Sequence, residues 1–236
     1  MSFADRKQAL RRSQLYRWHV SQGAIFVERA GGVFVNEYDN SRDETSAAGH
    51  LGLCDLSLLP RHGITGAGST AWLLAHDYEP PQHPNTVVTQ PNDDLLVRLS
   101  AEEYLCLRIS KLSGAAYDEP PHWPGDDDGN AYPAPRADSH CLFAVTGSSA
   151  ATLFSKLCAV DLRPDKFADG CVAQTSVARV NAIVIRHDLN GTRNFYVLTS
   201  TSAAEYLWEC LLDAMQEFKG MPVGIAALQA VAKVRA

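Results

Sequence analysis

The sequence lacks an apolar run of the roughly 18 residues that a membrane-spanning helix needs. Its N-terminus is charged, but no apolar segment follows, so it differs from a secretory signal peptide. The formal net charge is −6, and the one basic cluster, in residues 6–12, is short and terminal. Nucleic-acid-binding surfaces instead concentrate Lys and Arg. These absences argue against a membrane protein, a secreted protein and a nucleic-acid-binding protein.

Cysteine is present but is not arranged for disulfide bonds or for zinc. There is no C-x-x-C pair, and the six cysteines lie among apolar residues: Cys54, Cys106, Cys141, Cys158, Cys171 and Cys210. Small apolar thiols of this kind are typical of a reducing compartment. We therefore expect free cysteines, no metal site and a cytoplasmic location.

Motifs for nucleotides, calcium and nucleophilic catalysis are also missing. The Gly-rich stretch 65–69 has neither the G-x-G-x-x-G nor the G-K-[ST] pattern of a phosphate-binding loop. The acidic run 126–130 lacks the bidentate Glu and the flanking helices of a calcium-binding EF-hand. The histidines are scattered, so no Ser-His-Asp set is indicated.

What the chain does contain is enough apolar sequence for a core, 46% of 236 residues. Residues 84–109 have the alternation of a strand hairpin, with residues 100–103 as the turn between its strands. Asp93 and Asp94 precede the first of these strands. They indicate either a solvated turn, because Asn and Asp satisfy their own backbone, or a functional site.

A strand–helix–strand–strand pattern occurs twice. The Thr-Gly turn at residue 65 recurs at residue 146, and the strand-end arginine Arg98 recurs as Arg186. The repeat predicts an α+β fold with antiparallel sheets, built as a tandem pseudo-repeat of split β-α-β (ferredoxin-like) units. We place the units at about 45–112 and 141–219, joined by the Pro- and Asp-rich loop 113–140, within a single domain of residues 1–236.

Helices are predicted over residues 4–22, 202–218 and 223–234, of which the second has the clearest three-four spacing of apolar residues. The last helix either packs on its own sheet or docks on another chain. A strand-end arginine such as Arg98 or Arg186 either clamps a carboxylate or phosphate of a ligand, or pairs with a neighbouring acid such as Glu102.

Several stretches of the first half resemble the folate-dependent aminomethyltransferase family, which includes the glycine-cleavage T-protein. They are LYRWHVSQGA (15–24), GLCDLS (52–57), the turn and helix 64–73, and the D-D-L signature at 93–95. The second half is more similar to the gamma subunit of heterotetrameric sarcosine oxidase. The matching runs there are VDLRP (160–164), CVAQT (171–175) and SAAEYLW (202–208).

This resemblance implies an aminomethyltransferase folate-binding-domain-like fold without the family's C-terminal β-barrel. It also implies tetrahydrofolate as a cofactor, with Asp93 or Asp94 orienting or activating a folate nitrogen. Arg98, Arg186 and Tyr196 would line the folate site. The chain departs from the family where an acidic residue holds the pteridine ring, because Tyr196 falls near that position.

The resemblance implies two alternative functions. In the first, the chain is a gamma-type accessory subunit of a sarcosine-oxidase-like amine oxidase or demethylase complex in one-carbon metabolism. FAD, FMN and NAD would then sit on partner subunits. In the second, it is a stand-alone tetrahydrofolate-binding protein that accepts a one-carbon (methylene) unit during amine demethylation.

Overall fold

The computed structural model describes residues 10–38, 43–113 and 129–233. The strands are β1 (Ala24–Arg29), β2 (Gly32–Tyr38), β3 (Gly52–Asp55), β4 (Arg61–Thr65), β5 (Thr86–Thr89), β6 (Leu95–Arg98), β7 (Glu103–Leu107), β8 (Tyr132–Pro133), β9 (His140–Thr146), β10 (Val172–Val177), β11 (Val180–Arg186), β12 (Asn194–Ser200) and β13 (Met221–Pro222). The helices are α1 (Tyr16–Ser21), α2 (Glu44–Leu51), α3 (Ser69–Ala75), α4 (Ala150–Phe154), α5 (Ala204–Gln216) and α6 (Ile225–Lys233).

The strands form two large sheets and one hairpin. The larger sheet has the order β10-β11-β12-β9-β3-β13, the smaller one β5-β6-β7-β4-β8, and β1 pairs with β2. All of these pairs are antiparallel except β13 with β3. The succession β4-α3-β5-β6-β7 has the same neighbour order as β9-α4-β10-β11-β12. The predicted α+β fold with a tandem repeat is confirmed, and in each unit the strand after the helix lies three positions from the first strand.

The Thr-Gly turn explains why the two units resemble each other in sequence. Gly66 has φ +113° and Gly147 has φ +111°, a conformation that side chains with a Cβ rarely adopt. A Cβ on Gly66 would lie 2.1 Å from the carbonyl oxygen of Asn130, and one on Gly147 would lie 2.4 Å from that of His50. Glycine is therefore required at both turns for backbone conformation and for space.

The main core lies between the two large sheets. It is formed by alternate side chains of the central strands, among them Leu95, Val97, Leu105, Leu142, Ile185, Tyr196 and Leu198. Helix α6 closes one end of this layer through Ile225 and Leu228. A second cluster packs the other face of the larger sheet against α5, around the fully buried Trp208. The intersheet layer is thus filled largely by the chain's own side chains.

The edge strands of the two units meet, which ties the sheets together. The backbone N–H of Val87 donates to the carbonyl of Gly170 at 2.9 Å, and that of Val172 donates to the carbonyl of Asn85 at 2.9 Å. The Gln174 side chain donates to the Asn85 side chain at 2.9 Å. These contacts fix the relative position of the units at one edge of the core.

The predicted helix over residues 4–22 is wrong for its middle part. Helix α1 begins at Tyr16, while residues 1–9 lie outside the described ranges. The Arg11 N–H instead donates to the carbonyl of Gly31 at 3.1 Å, and the Val33 N–H donates to the Arg11 carbonyl at 3.0 Å. Pairing with the β1–β2 hairpin satisfies this backbone and replaces local helix formation.

Three further features are the state of the cysteines, membrane-spanning helices and metal sites. All six cysteines are free, and Cys54, Cys106 and Cys141 are buried. Within residues 10–38, 43–113 and 129–233, no helix is long and apolar enough to cross a membrane, and no cluster of His, Cys, Asp or Glu is arranged to hold a metal ion. The acidic residues 126–128 lie outside the part of the chain that the structure describes.

Candidate ligand pocket between the two sheets

The loop between β5 and β6 places two adjacent aspartates in different environments. The Asp93 N–H donates to the Gln90 carbonyl at 2.9 Å, and the Gln90 N–H donates to the Asp94 carbonyl at 2.8 Å. Asp93 has φ +65°, a left-handed conformation that Asp tolerates better than most residues. This turn exposes Asp93 and directs Asp94 inward, where it is 1% exposed.

The buried carboxylate of Asp94 is fully engaged by the protein. Its Oδ2 lies 2.8 Å from Nε of Arg108 and accepts from Nδ2 of Asn92 at 3.1 Å. Its Oδ1 accepts from the hydroxyl of Ser110 at 2.6 Å and from the backbone N–H of the same residue at 3.2 Å. A buried charge needs such partners. Asp94 therefore fixes the loop against the end of β7.

Both charges of the Asp94–Arg108 pair affect the pKa of His62. Burial, together with the positive charge of Arg108, lowers the pKa of His62 to about 4, although the Asp94 carboxylate opposes the shift. The imidazole is therefore neutral near pH 7.

Asp93 borders a pocket of about 220 Å³ at one end of the intersheet layer. Its apolar lining consists of Ile109, Leu112, Leu189, Leu228 and Ala232. Its polar lining consists of Asp93, Ser110, Tyr196, Gln229 and Lys233. The loop before β6, the 3₁₀ turn Ile109–Ser113, the start of β12 and the last turns of α6 together build this pocket.

Tyr196 forms the inner wall of the pocket. It is 0% exposed, and burial raises its pKa well above the usual value, with the neighbouring Cys54 adding to the shift and Asn194 opposing it through a hydrogen bond. The phenol is therefore neutral, and it offers a hydroxyl and a ring face to the pocket.

Arg98 is held by the backbone of its own unit. Its guanidinium donates to the carbonyls of Pro81 at 3.1 Å, Gln82 at 2.8 Å, Ser100 at 3.2 Å and Ala101 at 2.9 Å. It is not part of the pocket lining described above. Its side chain closes the connection between α3 and β5 onto the β6–β7 turn.

Arg186, the equivalent residue of the second unit, is also committed to the protein. It pairs with Asp188 through two contacts of 2.7 and 3.0 Å and donates to the carbonyl of Phe167. Of the five predicted site residues, the structure brings Asp93 and Tyr196 to one pocket, with Asp94 directly behind it. A ligand-binding or catalytic role for any of the five residues stays a prediction.

Residues 15–232 match the family described as the GCVT N-terminal domain. The chain belongs to this family. It is 26% identical over 241 residues to an aminomethyltransferase of Desulforamulus reducens, and 27% identical over 231 residues to one of Chloroherpeton thalassium. These alignments cover 93% and 90% of this chain. The chain spans 62% and 61% of the length of those relatives.

Two solved structures share the fold of this GCVT-domain protein. One is the glycine cleavage system aminomethyltransferase T of Bartonella henselae, with a TM-score of 0.68, 18% identity and coverage of 95% of this chain and 62% of the other. The second is a chain of the heterotetrameric sarcosine oxidase of Corynebacterium sp. U-96, with a TM-score of 0.60 and 20% identity. That match covers 89% of this chain and 97% of the other.

The structure adds pocket residues of this GCVT-domain protein that sequence reasoning missed. Gln229 and Lys233 reach the pocket from α6, and Arg108 and Ser110 engage Asp94 from the end of β7. The only sequence signal for Gln229 and Lys233 was the apolar C-terminal segment in which they lie. No local pattern linked that segment to the loop that carries Asp93 and Asp94.

A second missed feature is a buried network away from the pocket. His19 contacts the Tyr38 hydroxyl through Nδ1 at 2.8 Å and Asp55 Oδ2 through Nε2 at 3.0 Å. Burial raises the pKa of Asp55, but the interaction with His19 and the hydrogen bonds from Ser57 and Ser13 together outweigh it, so the net shift is downward. Trp208 packs edge-on against the imidazole at 5.3 Å. This network joins α1 and β2 to β3, which gives it a structural role.

Proposed function

We propose that the chain is a gamma-type accessory subunit of a sarcosine-oxidase-like amine oxidase or demethylase complex in one-carbon metabolism. FAD, FMN and NAD would be bound by partner subunits, and the complex would be cytoplasmic. Support comes from the match that spans 97% of one chain of a heterotetrameric sarcosine oxidase. The domain would support the assembly of such a complex and would carry a partly closed pocket.

The observation that carries this proposal is the filling of the intersheet layer. Tyr196, Leu105 and Ile185 are fully buried in it, and the cavity left at its end is about 220 Å³. Pockets for drug-sized ligands usually measure about 300–1,000 Å³. A chain whose central space is largely filled by its own side chains fits a supporting subunit better than an independent folate enzyme.

The test is purification of the tagged full chain from its own cells, with native mass and visible absorbance recorded together. We expect a complex heavier than a homo-oligomer that carries flavin, and the flavin should bleach when a secondary amine is added. A homogeneous preparation of this chain alone, with no flavin absorbance in any fraction, would contradict an accessory role.

The second candidate is tetrahydrofolate binding, with acceptance of a one-carbon unit. The observation that favours it is the meeting of Asp93 and Tyr196 in one pocket, with Asp94 behind. Asp93 would orient or activate the folate nitrogen, since its carboxylate is exposed at the pocket, whereas Asp94 is bound by Arg108. Arg98 and Arg186 would act on the ligand only after leaving their present partners.

Calorimetric titration of the purified chain with tetrahydrofolate tests this second candidate. We expect Asp93→Asn to weaken binding, while the matched change Asp213→Asn on the exposed face of α5 leaves it unchanged. Absence of binding to the wild-type chain, or equal binding by both variants, would remove this candidate.

A further inference from the structure

We propose that the pocket beside Asp93 binds a small aliphatic zwitterion, a molecule with one ammonium and one carboxylate group. An aliphatic α-amino acid is the simplest example of this class. The inference is independent of whether the chain works within a complex. It assigns the pocket a different occupant from the folate of the second candidate.

The size of the pocket sets the size of the ligand. At about 220 Å³ it lies below the range of about 300–1,000 Å³ that is usual for drug-sized ligands. The walls on both sides are held in place. The Ser110 hydroxyl donates to Asp94 at 2.6 Å, and the Gln229 side chain donates to the carbonyl of Leu112. The cavity is therefore preformed and suits a small molecule.

The lining sets the body of the ligand. Five aliphatic side chains come from three different elements: Ile109, Leu112, Leu189, Leu228 and Ala232. Tyr196 adds an aromatic wall that is 0% exposed. Burial of an aliphatic group against these residues is favourable at about 25 cal/mol per Å² of apolar surface. A wholly polar ligand would gain no binding free energy from this apolar lining.

The two charges of the pocket set the ends of the ligand. Asp93 contributes a carboxylate and Lys233 an ammonium group. Among the described residues, neither forms an ion pair, with the other or with any third group. The nearby Arg108 is already paired with Asp94. Opposite charges that do not meet each other leave room for a ligand ammonium at Asp93 and a ligand carboxylate at Lys233.

Three probes of the same shape separate the contributions of these charges. Valine carries both groups, isobutylamine only the ammonium, and isovalerate only the carboxylate. Binding is followed by chemical-shift titration of the full-length chain, which detects weak ligands. We expect valine to shift resonances around Asp93 and Lys233, and to bind about two- to fivefold more tightly than either analogue, the range of one partly exposed charge pair.

Two variants make the test specific. Asp93→Asn should weaken valine and isobutylamine about two- to fivefold and leave isovalerate unchanged, whereas Lys233→Gln should weaken valine and isovalerate and leave isobutylamine unchanged. The controls Asp213→Asn and Lys219→Gln change exposed charges outside the pocket lining and should alter none of the three.

The proposal is overturned if valine causes no shifts at the pocket up to its solubility limit. Equal binding of the three probes, or a uniform loss for all probes in both variants, would also overturn it. A tetrahydrofolate titration on the same sample distinguishes the two candidate occupants. Shifts at the pocket with tetrahydrofolate but none with valine would refute the zwitterion and support folate.

Discussion

The two repeated units share one topology but bury very different amounts of apolar surface on their outer faces. In the second unit, α5 covers the sheet with a cluster centred on Trp208, which is 0% exposed. In the first unit, the short α3 covers the sheet with a small cluster of described residues: Ile64, Trp72, Leu73, Leu96, Tyr104, Cys106 and Ala131. The same chain path therefore does not imply the same contribution to stability.

The units also differ in where they place charge. The first holds the buried Asp94–Arg108 pair beside the pocket, with side chains 2% and 12% exposed. The second holds Asp188–Arg186 at a strand end, with side chains 17% and 8% exposed. The second unit thus supplies a scaffold around α5, while the first supplies the polar loop at the pocket.

The largest expected difference concerns the two tryptophans under the helices. Trp208→Ala should reduce the free energy of unfolding by about 3–5 kcal/mol, the usual range for a buried Trp. Trp72→Ala should cost less, because Trp72 is 6% exposed and stacks on the exposed His76 at 3.9 Å. Urea unfolding of both variants checks this. Equal losses would contradict the contrast between the units.

The next contrast is between the two ion pairs. Asp94→Asn should destabilise the protein by about 3–5 kcal/mol, because it leaves the Arg108 charge buried without its partner. Asp188→Asn should cost about 1–3 kcal/mol, since its site is more open to water. Asp93→Asn serves as the exposed control and should change stability little. A larger loss of unfolding free energy for Asp188→Asn than for Asp94→Asn would contradict the inference that the Asp94–Arg108 pair contributes more to stability.

The two turn glycines should instead behave alike. Gly66→Ala and Gly147→Ala each force a Cβ into a positive-φ turn and against a backbone carbonyl. We expect each to lower the unfolding free energy by at least about 1–3 kcal/mol. Gly49→Ala, where an added Cβ meets nothing within 4 Å, is the matched control. If one of the two variants unfolds at the wild-type temperature and the other does not, the two turns are not equivalent.

The last effect is a pH dependence from His62 of the first unit, which is negligible at pH 7 and grows as the pH falls. Burial, assisted by Arg108, lowers the pKa of His62 to about 4, so the unfolded chain binds this proton more tightly than the folded one. Stability from His62 is therefore full above its unfolded pKa of about 6.5 and declines as pH falls towards 4. Unfolding measured from pH 7 to 4 should be less pH-dependent in His62→Gln. The exposed His83→Gln should keep the wild-type slope.

Local pattern was sufficient for much of the fold. Residues 84–109 correctly predicted β6 and β7, because burial in the core leaves short apolar runs that are bounded by polar turn residues. The three-four spacing before Gly220 predicted α5 for the same reason. The repeated Thr-Gly turn revealed the tandem units, since both copies need the same left-handed backbone. The α-helix expected before Tyr16 failed because pairing with the hairpin satisfied that backbone instead.

The sequence by itself thus determined the α+β class, the repeat, the hairpin with its aspartates and the resemblance to aminomethyltransferases. Only the tertiary structure decided where each aspartate lies and what it contacts. Arg108 and Ser110 take Asp94 into the interior, while α6 brings Lys233 to the pocket beside Asp93, from 140 positions further along the chain. Periodicity and turn chemistry act over a few residues, whereas a pocket depends on packing between segments that are distant in sequence.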